Sequence, residues 1–166
     1  LPTPFATDSL KRVDLDSVYS FVETLFGLSL GESFRRIMTL SSGDGCSLAR
    51  LSLPDDGVPW HESMVTMDAI FQSAAFGAVM EESLMLPSCV GRISIEKSHI
   101  HDLYAWCFLK HVNDHTKVFD IFLTDRNVMS KASIVGSVLG FELKESGRIS
   151  DTAFELTCQL VPVRCL

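Results

Sequence analysis

The chain has no Cys-x-x-Cys pair and no cysteine–histidine spacing of the kind that closes around a metal ion. Its five cysteines, Cys46, Cys89, Cys107, Cys158 and Cys165, are odd in number, and no secretory signal precedes them. That combination predicts a reducing, cytoplasmic compartment and free thiols. Cys89, Cys107 and Cys158 lie in apolar, strand-like runs and are expected to be buried. No uninterrupted apolar run approaches the ~20 residues of a membrane span. The apolar stretch at 64–80 is too short and is interrupted by Asp68 and Gln72. Positive charge is scarce as well. With 14 Lys and Arg against 21 Asp and Glu, the net charge of −7 argues against a general nucleic-acid binder. There is no internal repeat and no low-complexity tract.

What remains is an ordinary globular balance, 46% apolar and 21% charged over 166 residues. That is enough chain for one domain with a substantial core. A start at Leu1 rather than Met fits an excised domain, a processed product or a trimmed chain. Residues 1–13, with Pro2 and Pro4 and no clear period, read as a linker or extended arm, which leaves 14–166 as the domain. Asp14 or Asp16 can cap a helix running to about residue 26, with Val18, Phe21, Val22 and Leu25 on one face and Gly27 and Gly31 at its end. Strands are expected at 34–40 and 46–53 around a Ser-Ser-Gly-Asp-Gly turn, followed by a loop at 54–59.

The 62–80 segment is apolar nearly all round, the pattern of a helix buried on every side. A carboxylate there is costly unless it is paired, protonated or used. Gln72 follows Asp68 by one helical turn and shares its face. Pro87 closes this region. Five further strands are expected at 89–96, 103–112, 118–124, 128–143 and 152–161, with turns at 125–127 and 145–147. One long buried helix and about seven hairpin-linked strands make an α+β protein in which an antiparallel sheet curls around a central helix, a hotdog fold. Gly136 and Gly140 either bend this sheet or leave room for a ligand.

Four segments occur in a telling order: Ser29-Leu-Gly-Glu-Ser-Phe-Arg35, Ala49-Arg-Leu-Ser-Leu-Pro54, Met67-Asp-Ala-Ile-Phe-Gln72 and Leu86-Pro-Ser-Cys-Val-Gly-Arg-Ile-Ser-Ile95. Together they resemble the dehydratase domain of polyketide synthases over roughly 14–161, in particular the second of its two tandem hotdog modules and the fungal highly reducing type. The resemblance implies that Asp68 is a general acid protonating the departing hydroxyl of a 3-hydroxyacyl thioester, with Gln72 orienting it. Leu30, Gly31, Phe34, Met64, Phe71 and Pro87 would line the substrate tunnel. No cofactor is implied beyond the phosphopantetheine of an acyl carrier protein, which carries the polyketide or acyl substrate.

The chain departs from the family pattern in three places. The family's catalytic histidine lies in a His-x-x-x-Gly-x-x-x-x-Pro motif of the first module, and His61, His99, His101, His111 and His115 all lack that context. The family's Tyr-Gly tyrosine is Leu30. Its His-Pro pair before the aspartate is Ser63-Met64, with His61 two residues further upstream. Three functions stay open on the sequence. The chain is half of a dehydratase needing a first hotdog half, a free-standing derivative that dimerises and guides cyclisation or isomerisation, or a non-catalytic acyl-binding module.

Each candidate also has a bland reading. Asp68 could cap a helix or bond a loop amide, and Gln72 could be a buried hydrogen-bond partner. His99 and His101 fit a solvated surface pair. Trp60, Phe71, Phe76 and Trp106 fit core positions, and Tyr104 could reach a pocket. Arg35 and Arg36 could meet a carrier protein, a phosphopantetheine phosphate or plain solvent.

Overall fold

The computed structural model describes residues 10–43, 45–54, 57–78, 83–96, 100–126 and 134–148. Within them the order is β1 (Lys11–Arg12), α1 (Leu15–Phe26), a 3₁₀ turn (Glu32–Phe34), β2 (Ile37–Gly43), β3 (Cys46–Leu51), α2 (Met64–Ala78), β4 (Ser83–Ile95), β5 (Leu103–Asn113), β6 (Thr116–Thr124) and β7 (Ile134–Arg148). The strands form one antiparallel sheet in the order β1-β2-β3-β5-β6-β7-β4. The chain therefore leaves the middle of the sheet after β3, crosses its inner face as α2, and rejoins at the far edge as β4. This is the hotdog fold that the periodicity predicts.

α1 has the ends its sequence specifies. The Asp14 side chain accepts hydrogen bonds from the Asp16 amide at 3.2 Å and from the Ser17 hydroxyl at 2.7 Å. Gly27, at φ 63°, closes the last turn by donating its N–H to the Glu23 carbonyl. Among the described residues of α1, Tyr19 and Val22 are buried, with Val18 and Phe21 packed against the core from its rim.

α2 begins at Met64, where the Thr66 amide donates to the Ser63 hydroxyl at 3.4 Å, so Ser63 rather than Asp68 caps the helix. Thr66, Ala69, Ile70, Ser73 and Ala74 are fully buried. Opposite them lie inward-facing residues from both halves of the sheet, among them Leu40, Ala49, Leu103, Ile121, Val138 and Phe141. The alternation of buried and half-buried positions along β3 and along β6 as far as Leu123 is the period-2 signal of a sheet with one face on the core. Each large aliphatic side chain in this layer contributes about 1.5–3 kcal/mol by leaving water.

Several expected boundaries move. Lys11 and Arg12, expected in an arm, pair with Ser42 and Ser41 as the first edge strand. Phe34, expected in a strand, closes the 3₁₀ turn instead, and β2 starts at Ile37. Ser41 to Gly43, expected in the turn, continue β2 until Gly43 pairs with Cys46. Pro87, expected to end a region, lies inside β4 next to a register shift. An edge strand with a bulge is where a sheet tolerates proline. Residues 145–147, expected to turn, continue β7 because β4 runs on beside them, pairing Met85 with Glu145 and Ser83 with Arg148.

Cys107 is buried as expected, whereas Cys89 is exposed on the edge strand β4. Gly140 adopts φ 64° at a register shift between β6 and β7. Gly136 is packed so closely that an added Cβ would stand 3.0 Å from the Ser94 carbonyl oxygen and 3.2 Å from Leu123 Cδ1. Both glycines serve the shape and closeness of the sheet. The strand expected at 152–161, the start of the one expected at 128–143, residues 79–80 of the expected helix, His99, Cys158 and Cys165 lie outside the described residues.

Candidate functional site

α2 is not buried on every side. Met64, Met67, Asp68, Phe71 and Ala75 retain accessibility while the positions between them are mostly closed. Their spacing of three and four residues makes one partly accessible stripe along the helix. Asp68 is thus half-buried on an accessible strip, which corrects the expectation of a carboxylate on a fully enclosed helix. A half-buried carboxylate keeps part of its hydration and can meet another molecule.

Gln72, one turn on, is buried at 8% exposure. Its Nε2 donates to Asp68 Oδ2 at 2.5 Å and to the Phe34 carbonyl at 3.2 Å. Two acceptors on one nitrogen fix the orientation of the amide, because the flipped form would set Oε1 against the Phe34 oxygen. The Asp68–Gln72 pair follows from i, i+4 geometry, and the Phe34 carbonyl is presented to it by the 3₁₀ turn. That turn is braced by the Arg35 Nε, which donates to the Leu30 carbonyl at 2.8 Å, and by the Arg36 Nε, which donates to the Ser33 carbonyl at 3.0 Å.

Tyr19 completes the group from α1. The Arg35 guanidinium lies 5.1 Å from the centre of its ring, a cation–π distance. Phe76 meets the ring edge-on at 5.3 Å. Burial pushes the Tyr19 phenol above its ordinary range, the Arg35 charge opposes that rise, and the nearby Asp68 carboxylate adds to it. The phenol is therefore a neutral donor beside the acid. A groove of about 630 Å³ opens on the outer side of Tyr19 and Arg35, bounded by Arg12, Asp14, Ile37 and Met38. Asp68 is not among the residues lining that groove.

The sequence-predicted residues divide accordingly. Asp68, Gln72 and the backbone of Phe34 are joined by hydrogen bonds, and Leu30 is tied to the same turn through Arg35. Gly31 begins the turn, and open space surrounds its Cα. Phe71 stacks on Phe141 at 4.8 Å between ring centres, with half of its environment core. Met64 is 85% exposed at the start of the stripe, and Pro87 is exposed on β4. Trp60, Phe76 and Trp106 are core, while Tyr104 is half-buried on β5.

Among the described histidines, His101 and His111 are exposed, and the Nδ1 of His115 lies 2.6 Å from Glu145 Oε2. The Nε2 of His61 stands 3.6 Å from Glu62 Oε1. Among the described residues, no three His, Cys, Asp or Glu side chains converge as a metal site would need. Sequence reasoning missed Tyr19, whose only signal was its three-residue spacing from Val22. It assigned Arg35 to the surface, with no sign of its place over an aromatic ring.

An antiparallel sheet wrapped around a central helix defines a hotdog protein, here with an amide-braced carboxylate on that helix. The model of the family described as the polyketide synthase dehydratase N-terminal domain matches residues 4–139, and the chain belongs to that family. Solved structures agree on the fold. The dehydratase domain from the CurF module of the curacin polyketide synthase superposes with a TM-score of 0.70 at 18% identity, covering 87% of this chain and 53% of that one. The CurJ dehydratase of the same synthase gives 0.70 at 18%, covering 90% and 57%. The dehydratase domain of RzxB from Pseudomonas fluorescens gives 0.68 at 19%, covering 84% and 51%. The chain spans about half the length of these dehydratases. A comparison with curated protein sequences finds no match.

Proposed function

We propose that this chain is the acid-bearing, second hotdog half of a polyketide synthase dehydratase of the fungal highly reducing type, and that Asp68 protonates the leaving hydroxyl of a 3-hydroxyacyl chain. The observation that carries this reading is the Gln72 hydrogen bond to Asp68 Oδ2 on the accessible stripe of α2. With Oδ2 engaged as an acceptor, the proton of the acid form belongs on Oδ1. A neutral amide donor holds the carboxyl in one orientation without adding charge. That is the arrangement a general acid needs, with its geometry fixed before the substrate arrives. The Asp-x-x-x-Gln element in Met67-Asp-Ala-Ile-Phe-Gln72 and the lack of His-x-x-x-Gly-x-x-x-x-Pro in the 166 residues support the second-half reading, against the description of the matching family model as an N-terminal domain.

The elimination then needs a base from a first hotdog half, which removes the α-proton while Asp68 returns a proton to the departing oxygen. Water and the enoyl thioester are the products. β4 suits such a partner. It is an edge strand of the described sheet, exposed over most of its length, and it pairs with β7 along one side. A carrier protein would present the acyl chain on phosphopantetheine.

The test is reconstitution of the chain with a histidine-bearing first half and a 3-hydroxyacyl pantetheine thioester, followed by mass spectrometry. Loss of water is expected with the unaltered chain, and its disappearance with Asp68→Asn. Water loss that survives Asp68→Asn would remove the acid from the mechanism. A rearranged product of unchanged mass would favour the cyclase or isomerase reading instead.

A further inference from the structure

Two buried polar atoms, one on α1 and one on α2, lack hydrogen-bond partners, and they are complementary. One is the Tyr19 hydroxyl, on a residue only 6% exposed. The other is Gln72 Oε1, on a residue only 8% exposed. With no acceptor engaged, the phenol proton is still to be given. Gln72 has spent both of its described bonds on Nε2, so its oxygen is still to receive one. Buried polar groups left unmatched are rare because each keeps its desolvation cost without return. The donor and the acceptor share a neighbourhood, because the Tyr19 ring meets Phe76, one turn beyond Gln72 on α2, and Arg35, which follows the Phe34 whose carbonyl Gln72 holds; one bridging water would satisfy both.

We propose that Tyr19 is a positioning residue for Asp68, acting through Gln72: its hydroxyl donates through one bridging water to Gln72 Oε1, helping to hold the amide with Nε2 toward Asp68 Oδ2 and the Phe34 carbonyl. The order of the chain is Tyr19 to Gln72 to Asp68, with every donor facing an acceptor. Arg35 over the ring face and Phe76 at its edge restrain the ring of Tyr19. Without the hydroxyl the amide would be held by Asp68 Oδ2 and the Phe34 carbonyl alone, and its hold on Asp68 would loosen. The proposal deepens the general-acid reading of Asp68 and rests on it for its catalytic consequence.

Tyr19→Phe removes the hydroxyl and keeps the ring. The first readout does not involve activity. The Gln72 side-chain amide is assigned by NMR in this chain from the signal lost in Gln72→Leu, and its proton exchange is followed. In Tyr19→Phe that exchange is expected to quicken about tenfold while backbone amides in β5 and β6 keep their rates. Unchanged Gln72 exchange would overturn the proposal, and so would acceleration spread equally through the sheet, which marks a merely structural role.

The second readout is turnover in the reconstituted dehydratase. Tyr19→Phe is expected to lower kcat about tenfold with KM within about twofold, and to have no further effect once Gln72 is Leu. Equal losses on both backgrounds would overturn the route through Gln72. Full turnover in Asp68→Asn, beside quickened Gln72 exchange in Tyr19→Phe, would overturn the general-acid reading while upholding the Tyr19–Gln72 link.

Discussion

Gly77 of α2 lies against Ser47 of β3 so closely that a Cβ on the glycine would stand 2.6 Å from the Ser47 Cβ and 2.5 Å from its Oγ. The contact sets how deep the helix rides in the sheet. It lets the Ser47 hydroxyl donate to the Ser73 carbonyl at 3.1 Å and the Ser42 hydroxyl donate to the Gly77 carbonyl at 2.9 Å. Gly77→Ala gains about 1 kcal/mol of helix propensity. It also forces Ser47, which is 4% exposed, or the helix itself to move. Overpacking of this kind costs about 1–3 kcal/mol, so a net loss of stability is expected in urea unfolding. Gly77→Ala combined with Ser47→Gly should recover part of it, since the second change removes the atoms in the way. A Gly77→Ala variant as stable as the parent would mean that the helix docks elsewhere.

The same helix holds the 3₁₀ turn through Gln72. Gln72→Leu conserves volume but leaves the Phe34 carbonyl and Asp68 Oδ2 without their donor. The expected cost is about 1–3 kcal/mol, partly offset where Asp68 recovers water. The local effect should be larger than the global one. The Phe34 and Arg35 amides, which donate to the Gly31 and Glu32 carbonyls at 2.9 and 3.1 Å, should exchange with solvent about tenfold faster, equivalent to ~1.4 kcal/mol. Exchange limited to the global unfolding rate would show that Gln72 does not hold the turn.

How much of this could be read in the sequence depended on the range over which each feature is encoded. α1 was legible because Asp14 and Gly27 act on neighbours within four residues. α2 was legible from its length and apolarity, and the Asp68–Gln72 pair followed from helical spacing alone. β3, β5 and β6 announced themselves by apolar and alternating runs. β1 did not, because Lys11 and Arg12 are exposed and joined to Ser42 and Ser41 by backbone, which carries no side-chain signature. Pro87 and the 145–147 segment misled for a related reason. Residues typical of turns continue as strand where β4 and β7 run on beside each other. The Phe34 carbonyl and the Tyr19–Arg35 stack depend on a loop docking against two helices, and no local pattern encodes that.

Gly140 is where β7 shifts register against β6, at φ 64°. Its N–H donates to Asp120 Oδ1 at 3.0 Å, so the bulge is fastened by a side chain across the sheet. Alanine in this left-handed conformation costs about 1–2 kcal/mol. Gly140→Ala is expected to lower stability by that amount, with no atom closer to the new Cβ than 3.7 Å to add a clash. Asp120→Ala should act in the same direction by loosening the bulge. A stable Gly140→Ala would show that the strand can regularise, and hydrogen exchange along 136–141 would then slow.

Cys107 gives the fold a pH dependence of predictable sign. It is fully buried under α2, with Ser73 Oγ 3.6 Å from its sulfur, and burial pushes its thiol from an ordinary value of 9.0 up to about 11. The Ser73 and Ser47 hydroxyls oppose the rise without cancelling it. The folded state thus keeps the proton at a pH where the unfolded chain has already released it. When the unfolded state binds fewer protons, stability falls as pH rises. The contribution of Cys107 is complete below pH 9.0 and is lost progressively toward about 11. The loss reaches at most about 2–3 kcal/mol at the upper end. Unfolding followed across this range should therefore show a decline that is shallower in Cys107→Ala, whatever that variant's absolute stability. The same burial predicts that an alkylating reagent applied at mildly alkaline pH modifies exposed Cys89 promptly and Cys107 only on unfolding. Prompt modification of Cys107 in the folded protein, or identical slopes for the two proteins, would place the thiol in contact with water and the helix further from the sheet.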